Sequence, residues 1–159
     1  MSIASRERKV KVSVVGGQHE GENTAALLGL AYSVLGHQIV DGVVAAGYPQ
    51  RPAHSAVFAH IDLEGTRLSR LARRANMPPQ AMGELVDDLE RLGYVTRKPD
   101  PTDRRAKLVV LTPRGVACVQ AGLQTIAGIE SRLTDQLGER RLRQLRKTLH
   151  DIVRDDKLG

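Results

Sequence analysis

Tryptophan is absent from this chain, phenylalanine occurs once and tyrosine three times in 159 residues. The core is therefore expected to be built from Leu, Val, Ile and Ala. That suits packed helices better than a β-sandwich, whose strands favour aromatic and β-branched side chains. Cysteine is scarce too: a single Cys118 excludes an intrachain disulfide framework and a zinc site made from the cysteines of one chain. The start of the chain, MSIASRERKVKVSVV, is basic but has no apolar segment of signal-peptide length. The longest apolar-leaning stretch, 25–46, is interrupted by Gly29, Gly36, His37, Gln38, Asp41 and Gly42. It is not expected to span a membrane, and the cytoplasm is the expected location.

Groupings that carry catalysis are missing as well. The five histidines, His19, His37, His54, His60 and His150, are scattered, and His54 and His60 lack the i, i+4 spacing of a helical metal pair. No nucleophile motif, phosphate loop or pair of acid/base carboxylates stands out. The expectation is a non-enzyme with no cofactor and no metal. What the chain does have is positive charge: 24 Lys and Arg against 18 Asp and Glu, a net +6. That raises the prospect of a nucleic acid or another anionic partner without bearing on fold.

Periodicity divides the chain. Residues 1–22 read as an N-terminal extension, with Val10, Val12 and Val14 alternating as in a short strand and a GGQHEGEN loop after them. A helix is expected over 24–46, capped by Asn23 or Thr24 and ended by Gly47, followed by a shorter one over 52–60 with Pro52 in its first turn. Residues 61–66 read as a turn. Leu68, Leu71, Ala72 and Ala75 then mark an amphipathic helix that Asn76-Met77-Pro78-Pro79 breaks. Met82, Leu85, Val86, Leu89 and Leu92 mark the next, with Gly93 as its C′ residue. Residues 94–98 and 108–111 read as a two-stranded hairpin with a long tip. Thr112-Pro113 caps a long helix carrying Val116, Val119, Leu123, Ile126, Ile129, Leu133 and Leu137. After Gly138, a last helix sets Leu142, Leu145, Leu149 and Ile152 in a coiled-coil-like seam. The implied architecture is mainly α with a small β-wing, a winged helix-turn-helix joined to a helical dimerisation region. Its parts are 23–63 (N-terminal helices for dimerisation and support), 64–112 (DNA-binding lobe) and 113–159 (C-terminal dimerisation helices).

In a helix-turn-helix the second helix enters the major groove. With Met82, Leu85, Val86 and Leu89 facing inward, Gln80, Gly83, Glu84 and Asp87 share the outward face. A glutamine can bond adenine N6 and N7 together, and a glutamate can accept from cytosine N4. Gly83 costs about 1 kcal/mol relative to Ala inside a helix, which close approach to DNA or to a neighbouring helix would justify. The tip RKPDPTDRRAK gathers Arg97, Lys98, Arg104, Arg105 and Lys107 around Asp100 and Asp103, suited to phosphates and a narrow minor groove. Asp103 is placed to orient Arg105 by a charge-assisted hydrogen bond.

The stretch 65–115, GTRLSRLARRANMPPQAMGELVDDLERLGYVTRKPDPTDRRAKLVVLTPRG, closely resembles the DNA-binding lobe of MarR-family regulators, most specifically in Asp103-Arg104-Arg105 followed by LVVLTPRG. The resemblance implies a homodimer with intertwined terminal helices that binds double-stranded, pseudo-palindromic DNA and is often relieved by a small-molecule effector. Carried over, the groove-reading positions are Pro79, Gln80, Gly83, Glu84 and Asp87. The wing positions are Asp103, Arg104 and Arg105, with Ser69 and Arg70 near phosphate. The family commonly opens its reading helix with a Ser/Thr cap, where this chain has Pro78-Pro79 and loses it. Redox-sensing members place their cysteine near the start of the fold, so Cys118 is expected to be a small buried residue. The competing class is a winged helix that contacts protein rather than DNA. The basic wing argues against it, because protein interfaces deplete lysine.

Overall fold

The computed structural model describes residues 23–155, so the alternating valines at 10, 12 and 14 lie outside the described residues. Helix α1 spans Thr24–Ala45. Its cap is Asn23, whose Oδ1 accepts the Ala26 N–H at 3.0 Å, satisfying one of the donors that every helix start leaves open. By length and composition α1 is apolar enough to cross a bilayer. Here its C-terminal half lies along α5 (Pro113–Leu137) and buries Val40 and Val43. Small residues let the two helices approach. A Cβ on Gly42 would overlap the Thr125 side chain, and Gly122 faces Val43.

The short helix expected over 52–60 is two pieces, a single 3-10 turn (Pro52–His54) and α2 (Ser55–Phe58). His54 Nδ1 accepts the Arg51 N–H at 3.1 Å and tightens the turn before α-helical pitch begins. The turn after α2 ends in a strand that the pattern did not reveal, β1 (Thr66–Arg67). The wing is therefore not a two-stranded hairpin but a three-stranded antiparallel sheet, ordered β1-β3-β2, with β2 at Val95–Asp100 and β3 at Asp103–Leu111. Two residues offer no alternation to read. β1 exists because Thr66 and Arg67 pair with Val109 and Leu108.

Between β1 and β2 lie α3 (Leu68–Arg74) and α4 (Pro79–Arg91). The core of this lobe joins Val57, Leu71, Met82, Val86, Leu89, Val95 and Val109, and it continues into Val43 of α1 and Cys118 of α5. Cys118 is buried as expected. The scarce aromatics hold a larger share of the interior than composition suggests. Phe58 and Tyr48 pack against the fully buried Tyr94, with ring centroids 6.0 and 6.5 Å away, leaving only Tyr32 apart. The last helix, α6 (Glu139–Asp155), buries Leu142 but exposes Leu145 and Ile152.

The start of α5 locks onto the end of α4. Thr112 Oγ1 accepts the Gly115 N–H at 3.0 Å and donates to the Gly93 carbonyl at 2.6 Å. Gly93 follows α4 at φ +78°, a conformation that glycine adopts without steric cost. Gly115 is required for a different reason: a Cβ there would stand far inside van der Waals contact distance of the Tyr94 carbonyl oxygen. Backbone cannot yield as a flexible side chain does. Gly115→Ala should therefore destabilise the fold by about 2–3 kcal/mol, read as a lower urea midpoint at unchanged m-value.

Candidate nucleic-acid interface

Helix α4 buries Met82, Leu85, Val86 and Leu89. A period of 3.6 residues then turns Gln80, Glu84 and Asp87 to the outside, and all three are exposed. Gly83 shares that face. The nearest atom to a Cβ built there is Leu68 Cδ2, at 3.8 Å, an ordinary contact. No neighbouring helix demands the glycine. Pro79 opens the helix behind Pro78, and no side chain caps it, as the sequence led one to expect. Ser69 and Arg70 are exposed on α3.

The wing's charges fall into two groups. Arg97 is not free: its guanidinium bonds Asp87 at 2.6 Å and pairs with Glu90, while its backbone N–H donates to Glu90 Oε1 at 3.1 Å. This strut ties β2 to the outward side of α4, and it occupies the Asp87 carboxylate that the sequence assigned to base reading. Arg67 makes a second strut. Its Nε donates to Asp100 Oδ2 at 2.7 Å, and Asp100 Oδ1 accepts both the N–H and the hydroxyl of Thr102 at 2.8 and 2.7 Å. The Thr102 hydroxyl and N–H, then Arg67, hold the Asp100 pKa down to about 2. Asp103 does not reach the Arg105 guanidinium as expected. Its Oδ1 accepts the Arg105 backbone N–H at 3.0 Å, while Oδ2 lies 3.7 Å from Arg67. Its short side chain closes a local turn, and Arg105's own side chain is left to project.

Lys98, Arg104, Arg105 and Lys107 form the other group. All four are exposed, and among the described residues none is within ion-pair distance of a carboxylate. The sheet thus spends Arg67 and Arg97 on its own geometry and leaves cations on the tip.

A third cluster fixes α4 from behind and was invisible in sequence. Asp88 pairs with Arg51, from the segment before α2, and with Arg91 of its own helix. Beside them His54 is fully buried, with Nε2 3.6 Å from Asp88 Oδ2 and no hydrogen-bond partner. Because Nδ1 accepts the Arg51 N–H, the ring proton sits on Nε2, facing the carboxylate. Burial, then the Arg51 charge, lowers the His54 pKa below its ordinary 6.5. Behind this turn lies a cavity of about 420 Å³, walled by α1 and α5 on one side and by α2 with Ala75 on the other.

The MarR family profile matches residues 51–106. No curated protein matches the chain. Solved structures with the same fold include a MarR-family transcriptional regulator from Rhodococcus sp. RHA1, 25% identical with a TM-score of 0.66, covering 80% of this chain and 90% of that one. CouR from Rhodococcus jostii RHA1, bound to p-coumaroyl-CoA, is 25% identical with a TM-score of 0.68, over 86% and 95% of the two chains. The transcriptional repressor CouR bound to a 23-mer DNA duplex is 24% identical with a TM-score of 0.69, over 87% and 99%.

Two outcomes are expected from this geometry. Gly83→Ala should raise stability by about 1 kcal/mol, since the methyl fits, yet weaken DNA binding; paired urea and binding titrations check both. For His54 the folded pKa lies below the unfolded value, so the folded state holds fewer protons between the two. Its contribution is complete above about pH 6.5 and is lost as pH falls through the folded value. The melting temperature should drop between neutral and mildly acidic pH, and His54→Asn should flatten that slope.

Proposed function

We propose that the chain is a winged-helix regulator of the MarR family, the family whose profile matches residues 51–106, and that it binds a pseudo-palindromic operator as a homodimer and represses transcription until a small molecule releases it. The observation that carries this reading is the sorting of charge on the lobe. Gln80, Gly83 and Glu84 are open on α4, while Lys98, Arg104, Arg105 and Lys107 stand on the tip with no carboxylate partner among the described residues. In this reading α4 enters the major groove. Gln80 and Glu84 meet base edges, and Gly83 admits the DNA closely. The first-turn N–H groups of α4, which no side chain caps, face phosphate, with Pro79, Ser69 and Arg70 beside them. The tip contacts the backbone and an adjacent minor groove through Arg104 and Arg105. Arg97 and Asp87, which the sequence grouped with the contacts, form a strut that holds wing and helix at one angle, and Asp103 closes a turn within the wing. Support for a DNA partner comes from CouR, a transcriptional repressor seen on a DNA duplex.

Dimerisation is motivated by apolar surface that one chain leaves open. Leu27, Leu30 and Val34 on α1, Leu123 and Ile126 on α5, and Leu145, Ile152 and Val153 on α6 are all exposed. Large apolar side chains left exposed on three helices are what an interaction surface presents. A second copy covers it, making 23–63 and 113–159 the dimer frame and 64–112 the reading lobe. The cavity lies between frame and lobe, so an effector that fits one lobe spacing better than another shifts the population toward it. The turn at 51–54 carries the shift onward, because Gln50 and Ser55 wall the cavity while Arg51 and His54 reach Asp88 on α4.

Operator binding by Arg105→Ala should weaken at fixed salt and lose about one unit of the log–log salt slope. An unchanged dissociation constant would remove the wing from the mechanism. Gln80→Ala should cost about 1–3 kcal/mol at one base position and relax specificity there; a uniform loss over all sequences would reduce Gln80 to a positioning contact. Sedimentation should find a dimer at micromolar concentration, and a stable monomer would end the two-copy reading.

A further inference from the structure

We infer that His54 is a positioning residue for α4 that acts through its neutral ring, so that protonating this one histidine loosens α4 and weakens operator binding. The inference rests on the reading above that α4 enters the major groove, and it adds an acid-sensitive step to that reading.

His54 closes the 3-10 turn (Pro52–His54) and is 1% exposed. Its two ring nitrogens have different tasks. Nδ1 accepts the Arg51 N–H at 3.1 Å, so it carries no proton, and this bond holds the turn in shape. Nε2 then bears the proton; it has no hydrogen-bond partner and lies 3.6 Å from Asp88 Oδ2 on α4. The same Asp88 oxygen takes the Arg51 guanidinium, and the other takes that of Arg91. One buried imidazole and one carboxylate thus fix the turn at 51–54 against α4.

A proton on Nδ1 turns this acceptor into a donor aimed at the Arg51 N–H. The turn loses its bond, two N–H groups face each other, and a cation is buried beside the Arg51 guanidinium. Little nearby compensates that charge. Of the elements packed on the turn, α2 has no titratable side chain. The titratable groups of α1 are Tyr32, His37 and Asp41, and among the described residues Asp88 alone is within ion-pair distance of the ring. Asp88 already carries two guanidiniums. Burial, then the Arg51 charge, accordingly lowers the ring's pKa below its ordinary 6.5. A buried charge without its own partner is costly, and the ring escapes that cost only if the turn opens. Opening draws both Arg51 and His54 away from Asp88, and α4 loses its anchor to the turn.

The sign separates this step from ordinary electrostatics. Acidification makes any protein more positive, and contact with phosphate tightens as positive charge is added. Weaker binding in acid therefore requires a change of shape.

The test uses the full chain and a duplex that the wild-type protein selects from a random pool at neutral pH. Affinity is measured by fluorescence anisotropy at constant ionic strength between about pH 7.5 and about pH 5.5, where a histidine changes charge. Far-ultraviolet circular dichroism of the same samples reports the fold. The wild type should lose affinity by about tenfold, at a midpoint that coincides with the titration of the His54 ring followed by NMR of its nitrogens. His54→Asn keeps an acceptor near the Nδ1 position and has no proton to gain. It should bind at neutral pH within about threefold of the wild type and hold that affinity in acid. Constant or tighter wild-type binding in acid, an equal loss in His54→Asn, a midpoint apart from the ring's titration, or a loss that sets in only as the circular dichroism collapses would overturn the inference. Should His54→Asn not fold, the coincidence of the two midpoints in the wild type decides. The selection separates the two readings. A pool with no enriched duplex sinks the DNA reading and this inference with it, whereas an enriched duplex held equally across the range sinks this inference alone.

Discussion

Tyr94 sits where four parts of the chain meet, and its environment sets how the reading lobe joins the helical frame. The ring is fully buried, and its hydroxyl donates to the Pro49 carbonyl at 2.9 Å, anchoring the end of α4 to the segment after α1. Its own carbonyl accepts the Thr112 N–H at 3.0 Å, which fixes where α5 begins. The Arg114 guanidinium covers the ring from α5, a cation–π contact, and Gly115 lets the α5 backbone come down onto the Tyr94 carbonyl. With so few aromatics to spend, the chain places three of them at this junction. The result is a rigid corner between the frame helices and the sheet.

From that corner the lobe's geometry follows through ion pairs rather than through more core. Arg97 with Asp87 and Glu90, Arg67 with Asp100, and Arg51 with Asp88 each bridge two elements that hydrophobic burial alone leaves free to slide. The solvent-exposed pairs among these, Arg97 with Asp87 and Arg51 with Asp88, add little stability, about 0–1 kcal/mol each. Their contribution is direction: they hold the wing at one angle to α4 and α4 at one distance from the turn at 51–54. The cations that lack such partners are then the ones left on the wing tip. In the proposed function, the division between structural and binding arginines is what makes the lobe's surface specific.

The same turn lies between the cavity and α4. Gln50 and Ser55 face the cavity, and Arg51 and His54 between them face α4. In the proposed function, a displacement on the cavity side of this short segment is passed to α4 through the buried His54. Packed interiors shift between discrete arrangements rather than deform continuously.

Residue patterns alone determined the helical class, the cap at Thr112, a first cap at Asn23 or Thr24, the order of helices and wing, and the outward face of α4. These are local properties: a period of 3.6 residues, an N-cap oxygen and a proline at the first helical position act within a few residues. The resemblance over 65–115 is to the same family whose profile matches residues 51–106. What only the tertiary structure decided are relations across long separations. β1 is a strand because β3 lies beside it, and two residues cannot signal that by themselves. Arg97 and Arg105 look alike in the basic tip RKPDPTDRRAK, yet one is consumed by α4 and the other is left exposed. Asp87 and Asp88 are adjacent in sequence, but helical pitch points them at different partners, β2 and the turn at 51–54. A charge in a sequence states only that it exists; its partner is chosen by which surfaces the hydrophobic core brings together.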